Sequence, residues 1–337
     1  MRTSRLDRFA VLAVVLIFGF VMVRATGTGA AFLASTDNPG STFTSIPDWK
    51  PPVISRATVI KNEGGIPGYV RASGTYRVVA SVVDDPSSNP PAGIASVQTN
   101  VVNLTTGGTA VAMPAAATTV GGLTYTHQTA LQTVVAGKAA ATYANSVTAQ
   151  DTVTPANISA AFPFNAVVDN TVPARTSVTI TNGGIAGRIT ANDTITYTWS
   201  DTVDPNSVIA GWTGAAATPV TVQVNNLGGG TGDTVTIRNA ANTAQLPLGT
   251  IELNERDYVT ALTNFGGPAN ATRSTIAWNG GTSFTVTLGP PDTATVNNAG
   301  NLAATFEWFP QNAVYDRAGN LSTVTLFTEP GGADREF

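Results

Sequence analysis

The chain has no cysteine, one histidine, and charge on only 11% of its 337 residues. Without cysteine there can be no disulfide, thiol nucleophile, thiolate zinc site or thiol redox chemistry. The single histidine, His127, excludes two-histidine zinc motifs. An ordinary globular domain carries about 25% charged residues, so the polar surface must come largely from uncharged side chains. Lys and Arg together number 17 against 21 acids, for a net charge of −4. With so few cations no nucleic-acid partner is expected, because such binding relies on clustered Lys and Arg. A hydrophobic fraction of 42% still suffices for packed cores.

The first fifty residues read as an address. Arg2, Arg5 and Arg8 precede an apolar run from Phe9 to Val23. A basic start followed by a short apolar core is the secretory signal pattern. The run is shorter than the roughly 20 residues that span a bilayer comfortably. Cleaved export by a signal peptidase is the first reading, and a retained single-pass anchor through residues 9–23 is the second. The destination is the cell surface or the outside of the cell. Beyond it stand Thr28-Gly29-Ala30-Ala31-Phe32 and Ser35-Thr36-Asp37-Asn38-Pro39-Gly40-Ser41-Thr42-Phe43-Thr44. This stretch resembles the extended signal of bacterial proteins processed by SipW-type signal peptidases. The resemblance implies an exported bacterial protein and, as one option, a fibre subunit. In that option residues 31–44 would add as a strand to a neighbouring copy.

An internal repeat sets the layout. Val53–Pro86 aligns without gaps on Val172–Pro205 at an offset of 119 residues. Arg56 matches Arg175, Gly64-Gly65-Ile66 matches Gly183-Gly184-Ile185, and Asp85-Pro86 matches Asp204-Pro205. Turn and strand positions coincide, which indicates duplication. The expected division is signal or anchor 1–31, linker 32–52, first domain 53–171, second domain 172–328 with an insertion at 246–275, and a tail 329–337.

Strand signals dominate. Thr194–Trp199 places Ile195, Tyr197 and Trp199 on one face and three Thr on the other. Ser283–Leu288 points Phe284, Val286 and Leu288 one way, and the repeat puts Tyr76, Val78 and Ala80 on a buried face. Period-two alternation of this kind predicts half-buried strands. Threonine supplies a methyl for the pleat and a hydroxyl for water, so it can replace charge on the outer faces. Glycine and asparagine turns recur, among them Gly121-Gly122, Gly228-Gly229-Gly230 and Asn298-Ala299-Gly300. Only Ala130–Ala141 could mimic a helix, and strand or loop suits it equally well. The prediction is an all-β protein of two tandem sandwiches behind an N-terminal hydrophobic signal or anchor helix.

Asp316-Arg317-Ala318-Gly319-Asn320 precedes a final strand at Thr323–Thr328. Val168-Asp169-Asn170-Thr171-Val172-Pro173 stands where the first unit passes to the second, and Asp151–Asn157 is a diverged copy of the turn. These features resemble the tandem immunoglobulin-like (Big-type) domains of large bacterial surface proteins. The resemblance implies immunoglobulin-like sandwiches and a structural or adhesive role.

Candidate chemistry is sparse. Asp84, Asp85, Asp204 and Asp316 fall at predicted turns, where carboxylates could bind calcium. Aspartate also favours turns through local hydrogen bonds. Trp212, in an Ala-Gly-Trp-Thr-Gly loop, is the candidate contact for a surface glycan or protein partner. Its alternative is packing against its own sandwich. Glu252 and Glu255 form the nearest carboxylate pair, of the kind a glycosidase needs, and otherwise read as a solvated loop pair beside Arg256. His127 has no nucleophile elbow to serve and reads as a strand-surface residue. The expected function is a non-enzymatic, exported structural or adhesive protein; a binding module or a self-assembling fibre subunit is the alternative.

Overall fold

The computed structural model describes residues 48–87, 91–227, 232–256, 258–293, 303–311 and 313–337. The signal or anchor segment, the candidate fibre strand 31–44 and the glycine turns at 228–230 and 298–300 lie outside the described residues. Among those described, no helix is long and apolar enough to cross a membrane.

The described residues are nearly all-β, with sandwich-like sheets, as the alternation predicts. Numbering strands in chain order, one sheet runs β1 (Val53–Lys61), β3 (Thr75–Val83), β7 (Leu123–Gln128), β6 (Ala115–Val120), with β8 (Gln132–Thr133) also on β3. The facing sheet runs β2 (Tyr69–Val70), β10 (Phe162–Val168), β9 (Ala141–Asp151), β4 (Ile94–Asn100), β5 (Val111–Ala112). Val59, Tyr76, Val78 and Ala80 from the first sheet meet Val97, Val147, Ala149 and Ala166 from the second in one core. Tyr76, Val78 and Ala80 occupy the buried face that the repeat assigns them. Residues 130–141 form the short strand β8, turns and the first residue of β9, without helix. The β6–β7 hairpin turns on Gly121 and Gly122, whose φ values of 57° and 79° suit glycine.

The second core lies within one long sheet. Its order is β11 (Arg175–Thr181), β12 (Thr194–Trp199), β18 (Ser283–Thr287), β17 (Ser274–Trp278), β13 (Thr218–Asn225), β14 (Thr234–Asn239), β15 (Gln245–Glu252), β19 (Glu307–Phe309), β20 (Phe327–Thr328). β16 (Thr263–Phe265) also pairs with β13. The sheet curls until its two halves face each other. Trp199 on β12 and Trp308 on β19 are far apart along this order, yet their rings pack edge to face at 5.6 Å. Tyr197 meets Trp308 at 5.3 Å and Phe284 meets Trp199 at 5.8 Å. Such aromatic pairs each contribute about 0.5–1.5 kcal/mol beyond the area they bury.

Arg175 bridges the open seam of this sheet. Its guanidinium lies 4.8 Å from the Trp308 ring and donates to the carbonyls of Thr323 and Thr325, just before β20. The repeat-matched Arg56 also lies over a ring, that of Tyr125, at 6.0 Å. The stretch 246–275 supplies most of β15 and all of β16, and Leu246, Leu248, Ile251 and Leu253 enter the core. Outside the core, the threonine face is polar as the composition requires: Thr196 and Thr285 share a 3.0 Å hydroxyl hydrogen bond across β12 and β18.

Candidate functional site at the junction of the sandwiches

The polar side chains gather where β1 ends and the second sandwich begins. Lys61, the last residue of β1, forms an ion pair with Asp204, and the two side chains are only 2% and 1% exposed. The Lys61 ammonium also donates to the Arg317 carbonyl at 3.0 Å and lies 5.3 Å from the Tyr315 ring. The same Asp204 oxygen accepts the Ile66 amide at 2.9 Å, while its other oxygen accepts the Asn206 amide and caps the single helical turn α1 (Pro205–Val208). Asn206 in turn donates to the Glu63 carbonyl at 2.8 Å and the Tyr315 hydroxyl at 2.7 Å. Gly65 (φ 86°) allows the close approach: a Cβ there would lie 2.1 Å from Asp204 Oδ2.

The turn Asp316–Asn320 closes the other side. Asp316 Oδ1 accepts the amides of Ala318 and Asn320, and Oδ2 accepts the Asn320 side chain, each at 2.8 Å. Burial nevertheless raises the Asp316 carboxyl above its ordinary range. Asn320 Nδ2 also donates to the Asp169 carbonyl at 2.9 Å, and Arg317 reaches the Asp169 carboxylate at 3.3 Å. The segment entering the second sandwich is thus held by that sandwich's last turn.

The first sandwich receives its own entering segment in the same way. Asp151 Oδ1 accepts the Asn157 amide at 2.9 Å and Oδ2 accepts the Asn157 side chain at 2.6 Å. Asn157 Nδ2 also donates to the Asp48 carbonyl at 3.3 Å. The turn that looks diverged in sequence keeps its bonding pattern.

The four candidate calcium ligands divide between two places. Asp204 and Asp316 share the junction, where Asp204 is bonded to Asp316's neighbour Tyr315 through the backbone. Asp84 and Asp85 follow the opposite end of β3, since Lys61 pairs with Tyr76 and Val53 with Val83. At about 3.3 Å per residue, that strand separates the two places by more than 20 Å. Asp84 accepts the Asp85 and Gly93 amides. Asp85 caps a turn by accepting the Ser87 amide at 2.8 Å, and the Ser87 hydrogen bonds hold its carboxyl below the ordinary range.

A cleft of about 470 Å³ opens beside the junction, lined by Ile66, Pro67, the Gly121-Gly122 tip, Asn206 and Trp212. Trp212 is only 9% exposed. Its ring packs 5.7 Å from Phe284 and its Nε1 donates to the Ala216 carbonyl at 2.9 Å. Trp199 and Trp308 are core residues. Trp49, which sequence reasoning did not single out, is instead 71% exposed.

His127 is a correction: it is 8% exposed and lies on the inner face of β7 in phase with Tyr125. Its Nδ1 is 2.9 Å from the Thr126 hydroxyl, and burial lowers its pKa below 6.5. Glu252 pairs on β15 with Thr234 and Glu307. Glu255, expected to be solvated, is 4% exposed and stands near Tyr258 and Glu336.

Sequence reasoning also missed a second carboxylate group. One ligating oxygen from each of Glu329, Asp334 and Glu336 lies within 4.8 Å of the others. Burial, then the adjacent Glu329, push Glu336 up to about 9. The tail that carries this group is polar and shows no periodicity, which hid it.

Sheets of this kind, joined through a buried polar junction, define a tandem β-sandwich protein. No family model matches the chain, and no curated protein matches it. Among solved structures, FdeC, an Escherichia coli adhesin, aligns with 83% of this chain and 66% of its own, at 17% identity and a TM-score of 0.21.

Proposed function

We propose that this is a bacterial protein exported to the cell surface, where its two sandwiches act as a non-enzymatic structural or adhesive stalk. The observation that carries the reading is the junction. Lys61, Asp204, Asn206, Asp316 and Asn320 spend their hydrogen bonds on one another and on backbone groups of both sandwiches. Polar chemistry there serves to fix one domain to the next. The Arg-flanked apolar run before residue 24 supports export, and the threonine faces supply solubility without charge.

The test is expression of the full chain in a bacterial host, with protease accessibility on intact cells, cell adhesion and a glycan-hydrolysis panel measured together. The expected result is surface-accessible protein that raises adhesion and hydrolyses nothing. Retention in the cytoplasm, or turnover of a glycan abolished by Glu252→Gln, would overturn it.

A further inference from the structure

Trp49 differs from the other tryptophans. Trp199 and Trp308 lie in the second core and Phe284 covers Trp212, yet Trp49 is 71% exposed. Leaving so large an apolar ring in water forgoes the gain of burying it. The backbone on both sides of it is tied down. Asp48 is buried; its Oδ1 accepts the Lys50 amide at 2.9 Å and its Oδ2 the Ala92 amide at 3.1 Å. Lys50 Nζ donates to Ser87 Oγ. A ring carried on a fixed backbone has little freedom left to lose when something binds it.

A cleft of about 460 Å³ opens at the next residue. It lies between the segment entering β1, the turn after β3 and the segment entering β10, and its lining includes Lys50, Pro51, Asp85, Ser159, Phe162 and Pro163. That is the size of a small-ligand site. Ile158, next to Ser159, is itself 64% exposed. The Ser87 amide and hydroxyl both donate to Asp85 Oδ1, so Asp85 Oδ2 has no donor among the described residues. Lys50 attracts the Asp85 carboxylate, and the two charges offset each other.

These features select a ligand. With its charges balanced, the cleft offers no handle to an anion or a cation. A sugar presents an apolar C–H face, which suits an exposed indole, and adjacent hydroxyls, which suit a carboxylate oxygen and an ammonium. A protein partner would need a broad patch with its aromatic at the centre, ringed by groups that exclude water. Trp49 stands instead beside an open cleft of ligand size. We propose that Trp49 and this cleft bind a neutral glycan, the indole stacking on one sugar while Asp85 and Lys50 hold hydroxyls of the next. The site names the ligand class of the adhesive reading and rests on that reading for its biological purpose.

Purified full chain is titrated with maltohexaose, cellohexaose and chitohexaose, followed by calorimetry and by the indole NMR signals. At least one is expected to bind and to shift the indole signal that Trp49→Ala removes. Trp49→Ala should weaken binding about tenfold and leave the melting temperature unchanged, because the side chain is exposed. Trp49→Tyr, which keeps an aromatic plate, should weaken it much less. Asp85→Asn should weaken binding, and Trp212→Phe should not. No binding of any of the three at millimolar concentration, or binding undiminished in Trp49→Ala, would overturn the site. Cell adhesion that needs Trp49 while none of the three binds would overturn it in favour of a protein partner. Each of these failures concerns the ligand alone; the surface reading fails separately, by retention of the chain in the cytoplasm.

Discussion

Lys61 at the end of the first sandwich and Asp204 at the start of the second are ion-paired, and neither exposes more than 2% of its side chain. Breaking a buried pair from one side leaves a charge sealed from water, at a cost of about 3–5 kcal/mol. Lys61→Met should therefore lower stability by about 3–5 kcal/mol in urea unfolding. Adding Asp204→Asn should recover part of that loss, because the stranded charge is gone and the amide can still cap Asn206. A loss below about 1 kcal/mol for Lys61→Met would mean that the pair behaves as an exposed one.

Tyr197 is fully buried, and its hydroxyl has no hydrogen-bond partner among the described residues. Tyr197→Phe should raise stability by about 1 kcal/mol, since an unsatisfied buried polar group costs about 1–3 kcal/mol. Chemical denaturation measures this directly. A loss of stability would show that the hydroxyl is satisfied in solution.

Arg175 spans the seam through a planar fork and a ring contact. Lysine keeps the charge but cannot make the same forked bonds. Arg175→Lys should speed amide hydrogen exchange over 321–328 at least several-fold and leave β13 and β14 protected. Arg56→Lys, at the matching repeat position, is the control and should leave that segment unchanged.

His127 is the chain's one histidine, so its imidazole gives a single NMR signal. Burial favours the neutral ring, and its titration midpoint should fall below 6.5. The unfolded chain takes up that proton nearer 6.5 than the folded one does. Stability from this group is therefore present above 6.5 and lost as pH falls from 6.5 through the folded value. Relative to His127→Gln, the parent chain should weaken over that window. A midpoint at or above 6.5 would refute the assignment.

The strand content was legible because alternation is a local property. Ile195, Tyr197 and Trp199 announce one buried face, and the repeat carries that face to Tyr76, Val78 and Ala80. His127 was misread because the Thr-rich context of β7 masks the phase set by Tyr125. The junction was harder to read. Lys61 and Asp204 are separated by 143 residues, and nothing near either one signals the other. Trp212 lies in a glycine-flanked loop, yet Phe284, distant in sequence, covers its ring. Glu329, Asp334 and Glu336 become a group only when the tail lies against Ala304 and Phe306.

The duplicated turn has a consequence for the order in which such domains can be strung together. Asp85 and Asp204 occupy the same repeat position and accept the amide two residues on, at 2.8 and 3.0 Å. Asp204 meets Lys61, the last residue of the preceding copy's first strand, in a buried pair, whereas Asp85 is attracted by Lys50 from the segment that enters its own sandwich. The second copy carries Ile180 at the position of Lys61. The coupling is one-way: the upstream module presents the plug and the downstream module the socket. Ile180 carries no charge, so the second copy's first strand has no counterpart to the ammonium that Lys61 sets against Asp204. The buried pair therefore belongs to this junction and does not recur with the repeat.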